Sequence, residues 1–473
     1  MISKTSTSSI TTFALIMLIT GAIDSIRNLP ATAIFGSSLI FFFAFAAIVF
    51  LIPAALVSAE LSTHCNKKSG IFHWINRAFG EKTAFLAIWL QWVNTMVWFP
   101  TILSFIAGTA TYFINPALAQ NKLFLITVIL SSFWLLTLIN LKGLNFSAKF
   151  SSFCATIGMI LPMGLIIGLG AFWVYSGSPM HINFSAKEIL PSFNHLDNWL
   201  SLTAIMAGFL GIELATVHAK EVSNPQNTFP KALAVSVFLI ITTMTLGALA
   251  VAMVLPKDQI NLVNGVMQAF TDFFTSYHLT WMIPVITVMI LLGSLGGIVS
   301  WVISPVKGLL HASELGFLPK AFTKLNKHGA PQNLLIGQAI LVSFICLTFL
   351  LMPSVNGSYW LLTALSTQLY VLMYVIMFVA ALVLKSKFKN ENATFTIPGG
   401  KIGMWVACIL GLIGCTITLI VGFIPPASIN VGGILHYDIM FVSGMLIMTL
   451  PVLIFYYYKN NKDKTAGLIL QEA

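Results

Sequence analysis

The chain has 473 residues, of which 58% are hydrophobic and only 8% charged, whereas an average soluble domain is roughly a quarter charged. That composition excludes a soluble enzyme. The apolar residues come in long uncharged runs, each able to cross a hydrocarbon core ~30 Å thick as a helix of about 20 residues, so one polytopic membrane domain is expected rather than about three globular ones.

Hydropathy in ~19-residue windows predicts an all-α integral membrane protein with about twelve spans, near residues 9–32, 36–58, 83–113, 122–141, 150–175, 198–219, 231–255, 279–309, 334–353, 357–384, 402–424 and 435–458. The run from Thr11 to Thr20 continues directly into Gly21-Ala22-Ile23-Asp24 with no small-residue cleavage site. It therefore reads as the first span and not as a signal peptide. Lys and Arg outnumber Asp and Glu by 24 to 14, and their distribution explains the excess. With both termini inside, twenty of the 24 fall on inner segments, Lys122, Lys187 and Lys257 fall outside, and Arg27 alone lies within a span. Short cytoplasmic loops collect Lys and Arg, so a multi-pass protein of a bacterial inner membrane with cytoplasmic termini is expected, and no nucleic-acid partner is required.

Cys154, Cys346, Cys408 and Cys415 fall in spans and Cys65 in a loop, which points to buried thiols rather than a disulfide framework. His64, Cys65 and His73 lack a fourth metal ligand. Ile397-Pro-Gly-Gly-Lys401 lacks the spacing of a phosphate-binding loop, and no nucleophile stands with a base. Neither cofactor, metal nor enzymatic activity is expected.

Ionisable residues inside a span are costly, by ~2.5–3.5 kcal/mol on insertion scales, and so mark candidate sites. Three stand out. Asp24 and Arg27 lie in Gly21-Ala-Ile-Asp-Ser-Ile-Arg-Asn-Leu-Pro30, in the middle of span one, and Glu213 lies in Gly208-Phe-Leu-Gly-Ile-Glu-Leu-Ala215, in span six. Both stretches interrupt apolar helices with Gly and with side chains that compete for backbone hydrogen bonds. Interrupted helices at corresponding positions of two halves point to a transporter site at the bilayer midplane. Amide groups freed at a half-helix start can hold a carboxylate, and carbonyls freed at the opposite ends can receive an ammonium or a cation. A zwitterion such as an amino acid suits that pair of surfaces.

The stretch Gly211-Ile-Glu-Leu-Ala-Thr-Val-His-Ala-Lys-Glu-Val-Ser-Asn-Pro-Gln-Asn-Thr-Phe-Pro230 resembles span six and its cytoplasmic exit in the amino acid–polyamine–organocation superfamily, and within it the bacterial glutamate:GABA antiporters. Ile260-Asn-Leu with Gly265-Val-Met-Gln, Ser300-Trp-Val-Ile-Ser-Pro305, Tyr370 with Tyr374, and Thr396-Ile-Pro-Gly-Gly-Lys401 support it. The resemblance runs over nearly the whole chain. It implies a 5+5 inverted-repeat (LeuT-like) fold with broken helices one and six, repeat one near 9–175, repeat two near 198–384, and two peripheral helices near 402–458. It also implies alternating-access exchange of amino acids or their decarboxylated products.

Carried over by position, the substrate-binding residues are Ile23, Asp24 and Ser25 with Gly208, Phe209, Gly211 and Glu213, then Trp301, Tyr370 and Tyr374. The backbone at 23–25 and 208–211 would hold the α-carboxylate and α-amino groups, the aromatics at 209 and 301 would close over the ligand, and the tyrosines would donate hydrogen bonds. Each aromatic could equally be core. Glu213 reads as a proton-sensitive gate or as a hydrogen-bonded packing residue; His218 and Glu221 read as an inner-gate network.

The departures are specific. Ile23-Asp24-Ser25 replaces the superfamily's Gly-Ser/Thr-Gly, an arrangement unfavourable to a substrate carboxylate unless Asp24 is protonated, turned away or paired with Arg27. Arg27, where the antiporters carry Tyr, is either a forked partner for an acidic substrate side chain or the i,i+3 partner of Asp24. Gly297 matches a Glu of the subgroup. Ser152, with Lys149 a turn earlier, stands where sodium-independent members often carry Lys, so proton or sodium coupling stays open. The chain stops about fifteen residues past the last span, so the subgroup's basic pH-plugging tail is not expected. The leading reading is an amino-acid antiporter of the glutamate/GABA type; the others are a proton- or sodium-coupled uptake symporter for a neutral amino acid and a non-transporting membrane sensor.

Overall fold

The computed structural model describes residues 11–64, 70–143, 153–154, 156–190, 196–216, 224–387 and 394–472. The described residues form helices and connecting turns, with no β-strand among them. Eleven helices are long and apolar enough to cross a bilayer: Thr12–Ala33, Gly36–Thr63, Glu81–Phe113, Lys122–Leu141, Thr156–Tyr175, Gln226–Val254, Met282–Glu314, Gln332–Leu351, Val355–Lys387, Gly400–Val421 and Ile434–Lys462. The shorter Asn198–Leu214 stands between the fifth and the seventh spans in chain order and completes the twelve expected. It falls short in length because its helix is broken, and the elements are numbered below as spans one to twelve.

Span one runs as an α-helix from Thr12 to Ile23 and then opens. Asp24 and Ser25 are extended, with φ/ψ of −65°/124° and −150°/116°. A 3₁₀ turn over Ile26–Asn28 and a short helix Leu29–Ala33 follow. Span six breaks in the same manner: the helix Ser201–Phe209 stops at extended Leu210, and Ile212–Thr216 resumes it. Gly211 between them has φ +97°, a conformation that L side chains rarely adopt and glycine takes freely. Spans two and five are distorted differently. Each holds a π-helical turn, Ala47–Leu51 and Thr156–Ile160, just ahead of Pro53 and Pro162, where a missing N–H and the ring displace the ordinary helix ladder.

Spans three, seven and ten are the most buried long helices, and three and ten pack along each other through the middle of the bundle. Span twelve is the least buried and lies at the periphery. At the basic end of the bundle, the buried Glu60 of span two pairs with Lys385 of span ten and accepts the Ile397 N–H at 2.7 Å. Thr63 donates to the Phe395 carbonyl at 3.0 Å, so the segment entering span eleven is fastened to span two. Spans five and eight meet through two glycines. A Cβ added to Gly293 would stand 2.4 Å from the Gly158 Cα, so the helices approach as closely as small residues allow.

Gly293→Ala is therefore expected to lower the thermal unfolding temperature of the detergent-solubilised protein, the overpacking penalty being ~1–3 kcal/mol. Gly164→Ala, whose Cβ would meet nothing within 4 Å, serves as the unaffected comparison.

Candidate binding site

The two breaks face each other across a cavity of ≈380 Å³, bounded by spans one, three, five, six, eight and ten. Ile23, Asp24, Ser25 and Arg27 line it from the first break, Gly208 and Gly211 from the second, Trp301 from span eight and Tyr370 from span ten. Of the residues singled out in the sequence, Phe209 is placed elsewhere: it is fully buried against Phe43, ring centroids 6.0 Å apart, and does not line the cavity. Glu213 and Tyr374 stand one layer behind the wall. His218 and Glu221 lie outside the described residues.

Asp24 and Arg27 turn apart. The Asp24 Oδ2 accepts a hydrogen bond from Thr243 Oγ1 of span seven at 2.9 Å, while its Oδ1 is buried without a hydrogen-bond partner. The Arg27 guanidinium donates from Nη1 to Thr101 Oγ1 of span three at 3.0 Å and to Tyr359 Oη of span ten at 3.4 Å, and its carbon sits 5.3 Å from the centre of the Trp98 ring. Its Nε has no partner. Arg27 is 8% exposed and bonds to neutral groups, so a fixed positive charge borders the cavity with no carboxylate among the described residues bonded to it. Of the two roles the sequence left open for Arg27, the i,i+3 partnership with Asp24 is not formed.

Glu213 is 1% exposed and is held by three side chains from two other spans. Tyr370 donates to Oε1 at 2.5 Å, Gln91 donates to the same oxygen at 3.2 Å, and Tyr374 donates to Oε2. Gln91 also donates to Tyr370 Oη at 3.0 Å. The Tyr374 oxygen accepts the Gly211 N–H at 3.0 Å, so the amide released by the break is taken up by the same group that holds the carboxylate. This satisfies buried polar groups that would otherwise be expensive. The layer has a position as well as a chemistry. On its far side lies a second cavity of ≈510 Å³, lined by Gly70, Ile71, His73, Trp74, Gln91, Glu213 and His311. Gln91, Ile88 and Leu214 border both cavities.

Several lining residues were not singled out in the sequence: Gln91, Asn94, Thr95, Trp98 and Thr101 on span three, and Thr363 and Ser366 on span ten. Ser366 donates to Asn94 Oδ1 at 2.5 Å. A signal for them existed. Gln91, Asn94, Thr95, Trp98 and Thr101 recur at three- and four-residue steps, and Thr363, Ser366, Tyr370 and Tyr374 do likewise, so each set forms one stripe of a helix. A polar or aromatic stripe on an otherwise apolar span faces the bundle interior or a cavity.

Comparison with known proteins agrees with this architecture. The amino acid permease family profile matches residues 10–450. An uncharacterized transporter of Legionella pneumophila is 40% identical over 435 residues, covering 92% of this chain and 94% of its own. A glutamate/gamma-aminobutyrate antiporter of Lactococcus lactis is 31% identical over 450 residues, covering 94% and 89%. A probable agmatine/putrescine antiporter of the same species is 24% identical over 429 residues, covering 90% and 88%. The chain belongs to the amino acid permease family, a multi-pass membrane family of transporters, as the sequence resemblance implied.

Tyr374→Phe removes both a donor to the Glu213 carboxylate and the acceptor of the Gly211 amide. Leaving buried groups unpaired costs ~1–3 kcal/mol each. A fall in thermal unfolding temperature larger than that of Tyr359→Phe, whose hydroxyl accepts only a long bond from Arg27, is the expected result in detergent.

Proposed function

We propose that this permease is an amino-acid antiporter of the glutamate/GABA type, working by alternating access around the cavity between the two helix breaks. The observation that carries this reading is the Arg27 guanidinium beside the cavity, bonded to Thr101 and Tyr359 and to no carboxylate among the described residues. Glutamate and γ-aminobutyrate share a carboxylate and an ammonium separated by the same three carbons, and they differ by the α-carboxylate. In this reading the shared carboxylate docks on Arg27, whose planar fork suits it. The ammonium approaches the unpartnered Asp24 Oδ1, and the backbone freed at residues 23–25 and 208–211 receives the remaining α-carboxylate when it is present. Trp301, 39% exposed with its ring 5.7 Å from Trp98, closes over the ligand, while Phe209 supports the break from behind.

Glu213 with Gln91, Tyr370 and Tyr374 is assigned as the gate between the cavity and the vestibule lined by His73 and His311; His218 and Glu221 extend that gate in sequence. The same reading takes residues 9–175 and 198–384 as inverted repeats and 402–458 as peripheral helices. Both termini lie on the cytoplasmic face, where the basic loops gather. The comparison with glutamate/gamma-aminobutyrate and agmatine/putrescine antiporters favours exchange.

Counterflow in proteoliposomes tests the proposal: unlabelled candidate amino acids are loaded inside, and uptake of labelled glutamate and GABA is followed without sodium at acid and neutral pH. Uptake that requires internal substrate is expected. Flux only under an imposed sodium gradient would replace exchange by symport and recast Asp24 as a cation ligand. Arg27→Gln should weaken apparent affinity for glutamate by about 30-fold or more, since truncating one partner of a buried charge pair costs ~2–5 kcal/mol; an unchanged affinity removes Arg27 from the site. Glu213→Gln should abolish the pH dependence of exchange, and an unaltered pH profile would refute its gating role.

A further inference from the structure

A third, lateral cavity opens away from the binding site. It measures ≈250 Å³ and lies among spans three, eight, nine and twelve, with Trp92, Leu309, Leu341, Met448, Pro451 and Phe455 among its walls. Its lining is almost wholly apolar. The ninth-span residues involved, Leu334 to Leu341, occupy the first turns of Gln332–Leu351, and the twelfth-span residues precede the basic end of Ile434–Lys462, so the cavity sits in the half of the bundle that carries the lysine-rich loops. Ile447 on its rim is 65% exposed on the outer surface of the peripheral twelfth span, where lipid tails are the surrounding medium.

The apolar wall continues into charge. Pro451, Phe455, Lys459 and Lys462 follow one another at steps of four, four and three residues and share one face of the last helix. Lys459 donates to the Leu315 carbonyl at 2.9 Å and lies 5.6 Å over the Phe317 ring. A Cβ built on Gly316 would meet Lys462 Nζ at 3.0 Å and Lys459 Nζ at 3.6 Å, so the two ammonium groups converge on one point of the backbone turn. Phe322, on the cavity wall, is flanked in sequence by the exposed Lys320 and Lys324. A basic pocket between spans above an apolar cleft matches the two ends of an anionic phospholipid.

We propose that this cleft is a binding site for an anionic phospholipid, one acyl chain lying in the cavity and the phosphate resting on Lys459 and Lys462. The site is coupled to transport through one residue. Trp92 forms part of the wall of both the lateral cavity and the central one, so a chain packed against its outer face restricts the ring that borders the substrate. The proposal is independent of which amino acid is carried.

The test uses delipidated full-length protein in detergent, titrated with phosphatidylglycerol or phosphatidylcholine of identical chains, and with glycerol 3-phosphate as a head group without tails. Lipid adducts are followed by native mass spectrometry and stabilisation by thermal unfolding. Phosphatidylglycerol is expected to bind and stabilise at lower concentration than phosphatidylcholine, and glycerol 3-phosphate to do neither. Lys462→Gln should weaken phosphatidylglycerol about fivefold, the equivalent of ~1 kcal/mol for one lysine, and leave phosphatidylcholine unchanged. Gly337→Leu adds a side chain where a Cβ meets nothing within 4 Å on the cavity wall, and should reduce binding of both lipids while the lipid-free protein stays folded. Equal binding of the two lipids, phosphatidylglycerol binding indifferent to Lys462→Gln, or either lipid binding indifferent to Gly337→Leu would overturn the proposal. Binding of glycerol 3-phosphate alone at the same concentration would mark a phosphate site and overturn the lipid assignment.

Discussion

A carboxylate placed in the middle of an apolar bundle has to be met by donors, and in this protein the way Glu213 is met organises much of the structure around it. Tyr370 and Tyr374 come from span ten and Gln91 from span three, the two helices on which the bundle is built. The same Tyr374 oxygen takes the amide freed at Gly211. The break in span six is thereby stabilised by the group that neutralises the cost of burying its acid. A central cavity can exist beside an unwound helix because the unwound backbone is not left to hydrocarbon.

The first break solves the same problem with different residues. Asp24 is tied to Thr243 on span seven, and Arg27 is drawn in the other direction by Thr101, Tyr359 and the Trp98 ring. Two opposite charges three positions apart would be expected to pair on a regular helix. Here the extended backbone at Asp24 and Ser25 removes the helical geometry that would bring them together. The separation leaves one guanidinium nitrogen and one carboxylate oxygen without partners at the edge of the cavity, a polarity suited to a zwitterion.

The glycines serve packing at some places and backbone conformation at others. Gly211 supplies a left-handed φ at the break. Gly208 is needed for proximity, because a Cβ there would meet Asn28 Nδ2 at 3.2 Å and the Met244 Cε at 3.0 Å, and Gly158 with Gly293 lets spans five and eight touch. The basic end is secured separately. Glu60, Lys385 and the Ile397 amide form a group that joins spans two and ten to the segment entering span eleven, and Lys459 ties span twelve to the turn after span eight.

Sequence alone determined the all-helical class, the number and approximate places of the spans, the two interrupted helices and the family, because each depends on a local property: run length of apolar residues, a Gly or an ionisable residue inside that run, and a contiguous motif such as Gly211 to Pro230. It also picked out Asp24, Arg27, Glu213 and Tyr370 near the cavity, since a charge or an aligned aromatic inside a span is conspicuous. The partners of those residues were decided by tertiary structure. Gln91 and Tyr374 stand 122 and 161 positions from Glu213, Thr243 stands 219 from Asp24, and Tyr359 stands 332 from Arg27, and nothing local specifies such pairings. For the same reason Phe209, adjacent to the break in sequence, turned out to face Phe43 and not the cavity. Which side of a helix faces the cavity is fixed by how twelve spans pack together, and that packing is a property of the whole chain.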